Sequence, residues 1–239
     1  MIKLAISGIK GKMGQRILNL AGSDKEFKIV TLLERKGHLD IGSKINNITI
    51  TDNSDDISQA DVLIEFTSPE ATIEHLNICA KYKKAIVIGT TGLSDQQREN
   101  INKASSSIPV VFSPNMSVGV NLLFKLVKEA ASKLSGDYQV KITEAHHVHK
   151  KDAPSGTAKQ LAKIIQQEGN QELKDIKSIR EDEIAGDHEV CFESAEDIIK
   201  LSHSAKTRDI FAKGSLVAAK FVMGKKKGLF DMQEILSGD

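Results

Sequence analysis

Residues 1–14 read MIKLAISGIKGKMG: an apolar run from Ile2 to Ser7 meets Gly8, then Gly11 and Gly14 at three-residue intervals. A short continuous apolar run ahead of glycines reads as a strand covered on both faces, and Gly14 to Leu20 carries helical spacing. Glycines let the backbone turn tightly and approach a pyrophosphate, while the helix start behind them offers N–H groups and positive dipole. The usual dinucleotide fingerprint spaces its first two glycines more closely, and Lys10 stands at that middle place here. Glu34 ends the next apolar run about 20 residues on, where a carboxylate can accept from ribose hydroxyls. Arg35 and Lys36 beside it offer cations to a 2′-phosphate. An ordinary strand-to-helix turn with a surface charge cluster is the other reading open to these residues.

Outward from this stretch the pattern repeats. Apolar runs at 28–34 (KIVTLLE), 60–66 (ADVLIEF), 85–89 (AIVIG) and 108–113 (IPVVFS) alternate with helical stretches at 70–81 and 94–106. Such alternation predicts an α/β fold, a Rossmann-like doubly wound parallel sheet. After Asn115 the texture changes. A long helical pattern covers 118–134, a strand-like run 138–145, and a further helix about 156–167. The segments HEVCFES (188–194) and DIIKLSH (197–203) alternate polar and apolar residues, as antiparallel strands with one wet face do. A helical pattern returns at 209–222. The expected organisation is a dinucleotide-binding domain, 1–117 plus 208–239, with a smaller inserted α+β domain, 118–207.

The whole-chain numbers exclude several classes. The chain has 239 residues with 33 Lys plus Arg against 32 Asp plus Glu, a net charge of +1, which argues against a general nucleic-acid binder. No run approaches the roughly 20 apolar residues of a membrane span, and the N-terminus lacks the features of a secretory signal. Cys79 and Cys191 lie far apart among apolar residues and read as packing groups. The expectation is a cytoplasmic protein.

The chemistry concentrates at 144–158, EAHHVHKKDAPSGTA. Ser155 is a good N-cap, which makes Gly156 and Thr157 the first helical positions. A helix start behind His147, His149, Lys150 and Lys151 forms an anion site suited to a carboxylate. A histidine here can also donate or accept a proton near neutral pH. Zinc is the competing idea; the adjacent lysines oppose it, and the sequence displays no clear carboxylate or thiolate companion. GTTG (89–92) and SPNMS (113–117) each close an apolar run, so both would line the crevice beyond the strand ends.

Together with GIKGKMG, IGTTG, SPNMSVGVN and the closing GLFDM, the stretch EAHHVHKKDAPSGTA resembles the 4-hydroxy-tetrahydrodipicolinate reductase family of diaminopimelate and lysine biosynthesis, from Ile2 to about Leu236. The resemblance implies hydride transfer from NADPH or NADH to a cyclic unsaturated dicarboxylate with loss of water. It implies His146 and Lys150 as proton-transferring groups, with His147, Gly156 and Thr157 on the substrate. Cofactor contacts carried over are Gly8, Ile9, Lys10, Gly11, Lys12, Met13, Glu34, Arg35, Gly89, Thr90, Thr91, Ser113, Pro114, Asn115 and Met116. No metal is implied, and the assembly implied is a homotetramer built through the middle domain. Lys10, Ser113 and Pro114 depart from the small residues common in the family, and the chain is short between Gln167 and Gly186; that shortening bears on the tetramer and not on the chemistry. Two rivals remain open on the residues: another nicotinamide dehydrogenase acting on an amino or hydroxy acid, and a non-enzymatic dinucleotide sensor.

Overall fold

The run Ile2–Ser7 becomes the strand β1, near the middle of a parallel sheet, in the computed structural model, which describes residues 1–238. From there the chain alternates: α1 (Lys12–Ser23), β2 (Phe27–Leu33), β3 (Lys44–Ile45), β4 (Ile48–Thr51), β5 (Val62–Glu65), α2 (Pro69–Tyr82), β6 (Ala85–Ile88), α3 (Asp95–Ser105) and β7 (Pro109–Phe112). The second part holds α4 (Val118–Lys133), β8 (Gln139–His146), α5 (Gly156–Glu168), β9 (Glu172–Arg180), β10 (Asp187–Glu193) and β11 (Ile198–Ser204). The chain ends with α6 (Asp209–Val222), β12 (Gly228–Phe230) and α7 (Met232–Ser237). Two compact units result. One runs from Met1 to Ser117 and resumes at Phe211; the other is Val118–Ile210, so the second crossing falls three residues later than the sequence suggests.

In the first unit the strand order is β12-β7-β6-β5-β1-β2-β4-β3. All pairings are parallel except the short β3–β4 contact. β5 and β6 are buried at every position, as strands covered on both faces must be. Ile64 and Val87 pack with Ile17, Leu18 and Ala219 on one face, while Leu63 and Ile88 pack with Leu76, Cys79 and Ile101 on the other. Helices α1 and α6 thus cover one side and α2 and α3 the other. The chain leaves β1 toward β2 on one flank and returns to β5 on the other, so the order reverses between β5 and β1. Ligands of such sheets bind beyond the carboxyl ends of the strands at that point.

In the second unit a four-stranded sheet, β11-β10-β8-β9, lays its inner face on α4 and α5. Val140, Ile142, Val190 and Phe192 point inward beside Leu161, Ile165 and Val127. β9 was not foreseen. It runs parallel to β8, and α5 is the crossover that a parallel pair requires. Cys191, expected to be packed, alternates with Val190 and Phe192 onto the outer face and is partly exposed, whereas Cys79 is buried. Among the described residues no helix is long and apolar enough to cross a membrane.

Candidate active site

The first unit presents a glycine-lined edge. Gly8 takes φ +64, a conformation that L side chains rarely adopt, and turns the chain out of β1. A Cβ on Gly14 would stand 2.2 Å from the Gly8 carbonyl oxygen, so only glycine lets α1 pack this closely under the turn. Gly11 caps α1 without a side-chain hydrogen bond, and the first turn carries no acidic residue. That helix start suits a phosphate, with its dipole uncompensated and Lys12 exposed beside it. Glu34 accepts from the backbone N–H of Lys10 at 2.9 Å and of Arg35 at 3.0 Å, which brings the expected ribose-binding carboxylate against the glycine loop. The Lys10 ammonium pairs with Asp40 at 3.2 Å, and Arg35 is exposed.

The other expected cofactor residues lie on loops after β6 and β7. Thr91 and Pro114 are exposed, and Gly89 and Asn115 are partly so. Ser113 is buried and its hydroxyl donates to the Asn115 carbonyl at 2.9 Å. Thr90 is buried and its hydroxyl oxygen accepts from the Thr67 N–H at 3.1 Å. The side chains of Ile9 and Met116 belong to the core, so these two can offer a cofactor only their backbone. Met13 is partly buried against the same cluster. A glycine cradle that a Cβ on Gly14 would fill, a bare helix start and a carboxylate against the glycine loop fit a dinucleotide.

The second unit gathers buried titratable groups. In β8 alternate residues face inward, which puts Glu144 and His146 on the same side, both buried. Oε2 of Glu144 pairs with Nδ1 of His146. Oε1 accepts from Arg180 at 2.8 Å and from the Ser155 N–H at 3.3 Å. Ser155 caps α5 by accepting from the Ala158 N–H, and its hydroxyl lies 3.0 Å from Nε2 of His188. The rings of His146 and His188 meet edge to face with centroids 5.1 Å apart. A Cβ at Gly186 would come within 3.1 Å of Nε2 of His146, so glycine keeps space beside that nitrogen.

The electrostatics follow from these contacts. Burial alone would raise the Glu144 carboxyl, but hydrogen bonds from Arg180, Ser178 and His146 hold it down to about 2, so it stays ionised. An ionised carboxylate only accepts, which makes Nδ1 of His146 the N–H and leaves Nε2 to exchange a proton with a ligand. Burial lowers the His146 imidazole below the ordinary histidine range, against the pull of Glu144. Burial, with His146 nearby, takes His188 down to about 4. Both imidazoles are therefore neutral at neutral pH.

Lys150 pairs with Asp152 at 2.8 Å, and its backbone N–H closes a turn onto the His147 carbonyl. Nε2 of His147 accepts from Arg208 at 3.2 Å. Gly156 is exposed and Thr157 partly buried at the start of α5. His149 is exposed, 3.9 Å from Glu183. Four residues of this cluster stand outside the expected site residues: Glu144, Arg180, His188 and Arg208. The signal for Glu144 was available, because a strand reaching His146 places i and i+2 on one face; the expected strand stopped at Ala145. Glu144, His146 and His188 each bring a ligand atom within 4.8 Å of the others, so the companion carboxylate that the sequence did not display is present. A metal ion there would have to share Glu144 with the Arg180 guanidinium.

The profile described as "Dihydrodipicolinate reductase, N-terminus" matches residues 2–116, and "Dihydrodipicolinate reductase, C-terminus" matches 119–236. The 4-hydroxy-tetrahydrodipicolinate reductase of Pelagibacter ubique is 40% identical, over 99% of this chain and 98% of that one. That of Geotalea daltonii is 38% identical over 99% of both. A dipicolinate-bound dihydrodipicolinate reductase from Paenisporosarcina sp. TG-14 superposes with a TM-score of 0.85 at 25% identity, covering 98% of this chain and 99% of that one. With both halves matched and full-length relatives at this identity, the chain belongs to the dihydrodipicolinate reductase family.

Proposed function

We propose that this protein reduces 4-hydroxy-tetrahydrodipicolinate to tetrahydrodipicolinate with loss of water, on the diaminopimelate route to lysine, using NADPH or NADH. The observation that carries the reading is the buried Glu144–His146 pair braced by Arg180 beside the capped start of α5. It supplies a proton carrier and an anion cradle in one place, as a cyclic dicarboxylate undergoing elimination and reduction needs.

The steps assign themselves by charge. Loss of water requires that a ring proton leave next to the carbon bearing the hydroxyl, and that the hydroxyl depart with a proton. Neutral Nε2 of His146 takes the ring proton while Glu144 stabilises the imidazolium that forms. Lys150, a cation held by Asp152, gives the proton to the departing hydroxyl. A bound reduced nicotinamide would supply the hydride that the vacated carbon needs. His146 then returns its proton to the neighbouring carbon and becomes neutral again. His147 with Arg208, and the N–H groups of Gly156 and Thr157, hold the carboxylates. Gly8–Met13, Glu34, Arg35, Gly89–Thr91 and Ser113–Met116 would hold the dinucleotide. Arg35 would meet the 2′-phosphate of NADPH, while Glu34 would serve the free ribose of NADH. The cytoplasm is the compartment and a homotetramer the assembly that the family resemblance supports.

The test couples the protein to the upstream condensation and follows nicotinamide absorbance with NADH and NADPH. Substrate-dependent oxidation of either is expected. Cofactor binding without turnover would sink the enzymatic reading, and turnover of an amino or hydroxy acid in its place would reassign the substrate.

A further inference from the structure

The first unit contains a second buried acid–histidine pair, far in sequence from the chemistry above. Glu65, the last residue of β5, is 0% exposed, and a buried carboxylate is tolerated only with partners. Its Oε2 accepts from the Ser7 hydroxyl at 2.6 Å and meets Nδ1 of His75 at 2.5 Å; its Oε1 accepts from the Thr67 hydroxyl. Its backbone carbonyl accepts from the Gly89 N–H at 2.9 Å. These partners come from four places: the end of β1, the loop after β5, helix α2 and the loop after β6.

The network continues outward. The Thr67 N–H donates to Thr90 Oγ1 at 3.1 Å, and Thr72 of α2 lies 2.9 Å from the same oxygen. The Thr67 methyl presses on the glycine turn, since a Cβ on Gly8 would come within 2.9 Å of it. All of this sits at the carboxyl ends of β1, β5 and β6, where the strand order reverses. Burial works to lower the His75 imidazole, yet the Glu65 carboxylate outweighs it and raises it, with Glu74 adding to the effect. A buried ion pair is seldom the most stabilising filling for a core, since apolar residues of similar volume often do as well or better. What apolar groups cannot do is hold the hydroxyls of Ser7 and Thr67 and, through Thr67, the Thr90 loop.

We infer that Glu65 and His75 are a positioning pair for dinucleotide binding: through Ser7, Thr67 and Thr90 they set the Gly8 turn and the Gly89–Thr91 loop in the geometry that receives the cofactor. The inference rests on reading the glycine-lined edge as a dinucleotide site. Neither residue need touch the cofactor, and neither moves a proton in the reaction.

The chain has no Trp, so the nicotinamide's own fluorescence and titration calorimetry are the binding readouts. Glu65→Ala should weaken NADH and NADPH on the order of tenfold, the scale of a lost charge-assisted hydrogen bond. At saturating cofactor its kcat and substrate KM should stay within about twofold of wild type, as expected when only cofactor binding is lost. Glu65→Gln, which keeps the shape and an acceptor, should recover most of the affinity. A folded Glu65→Ala protein that binds as tightly as wild type overturns the inference. So does a Glu65→Gln protein no better than Glu65→Ala, because a merely structural loss would not be rescued in affinity alone. Should Glu65→Ala not fold, Thr67→Val removes only the hydroxyl gift to Glu65 and is expected to weaken the cofactor several-fold; unchanged affinity there also overturns it. A wild-type protein that binds neither dinucleotide overturns the reading of the edge and the inference together, a result distinct from failure of the variants.

Discussion

Glu144→Gln tests the brace beneath His146 by its stability and by the pH at which that stability appears. The wild-type carboxyl falls from 4.5 to about 2 in the folded chain. At about 1.4 kcal/mol per tenfold step in affinity for the proton, this corresponds to about 3 kcal/mol of native stability at neutral pH. Because the folded value is depressed, the contribution is fully present above the ordinary carboxyl range and drains away as pH falls from about 4.5 toward about 2. The independent expectation for breaking a buried pair, which leaves the Arg180 guanidinium without its charge partner, is about 3–5 kcal/mol, in agreement. Urea unfolding followed by circular dichroism, on wild type and Glu144→Gln side by side, cancels the other titrating groups. The gap should be about 3 kcal/mol at pH 7 and shrink to about 2 kcal/mol near pH 3.5. A gap below about 1 kcal/mol at pH 7, or one that does not narrow in acid, would refute the claim that Glu144 is held as a buried anion.

Four further outcomes follow from the geometry. His146→Gln should lower kcat by roughly 10²–10⁴-fold and leave dinucleotide affinity unchanged in direct titration. The acid limb of the wild-type kcat/KM profile should lie below 6.5, because burial depresses this imidazole; a limb above it would contradict a neutral base. His147→Ala, Thr157→Ala and Arg208→Ala should chiefly raise substrate KM, since carboxylates are held alike in ground and transition states, whereas Lys150→Ala should change both parameters. Arg35→Ala should weaken NADPH more than NADH, because a guanidinium can bond two phosphate oxygens at once; equal losses would remove Arg35 from the 2′-phosphate.

The first unit was largely legible because its signals are local. A run such as Val62–Glu65, buried at every position, has to be continuously apolar, and the turn at Gly8 has to be glycine. The cap at Ser155 is equally local, since its partner is the Ala158 N–H three residues on. The strand β9 escaped because its faces are unequal in a different way: Ile176 packs inward while Glu172, Lys174, Asp175 and Lys177 are exposed, so no clean alternation marks it. Its partnership with β8 depends on α5 returning the chain, which is not a property of ELKDIKSIR itself.

The residue types of the chemistry, histidines, lysines and a helix start within EAHHVHKKDAPSGT, were determined by the sequence alone. Which nitrogen of His146 is free, and in which charge state, was decided by the tertiary structure. Sheet register sets His188 opposite Glu144 and Arg180 opposite His146, and the segment between β11 and α6 brings Arg208 to His147 across 61 positions of chain. A pattern in sequence reports what neighbours a few residues apart can do together. The proton affinity of a buried group depends on every charge and dipole within a few ångströms, and those arrive from distant segments only once the sheet has formed.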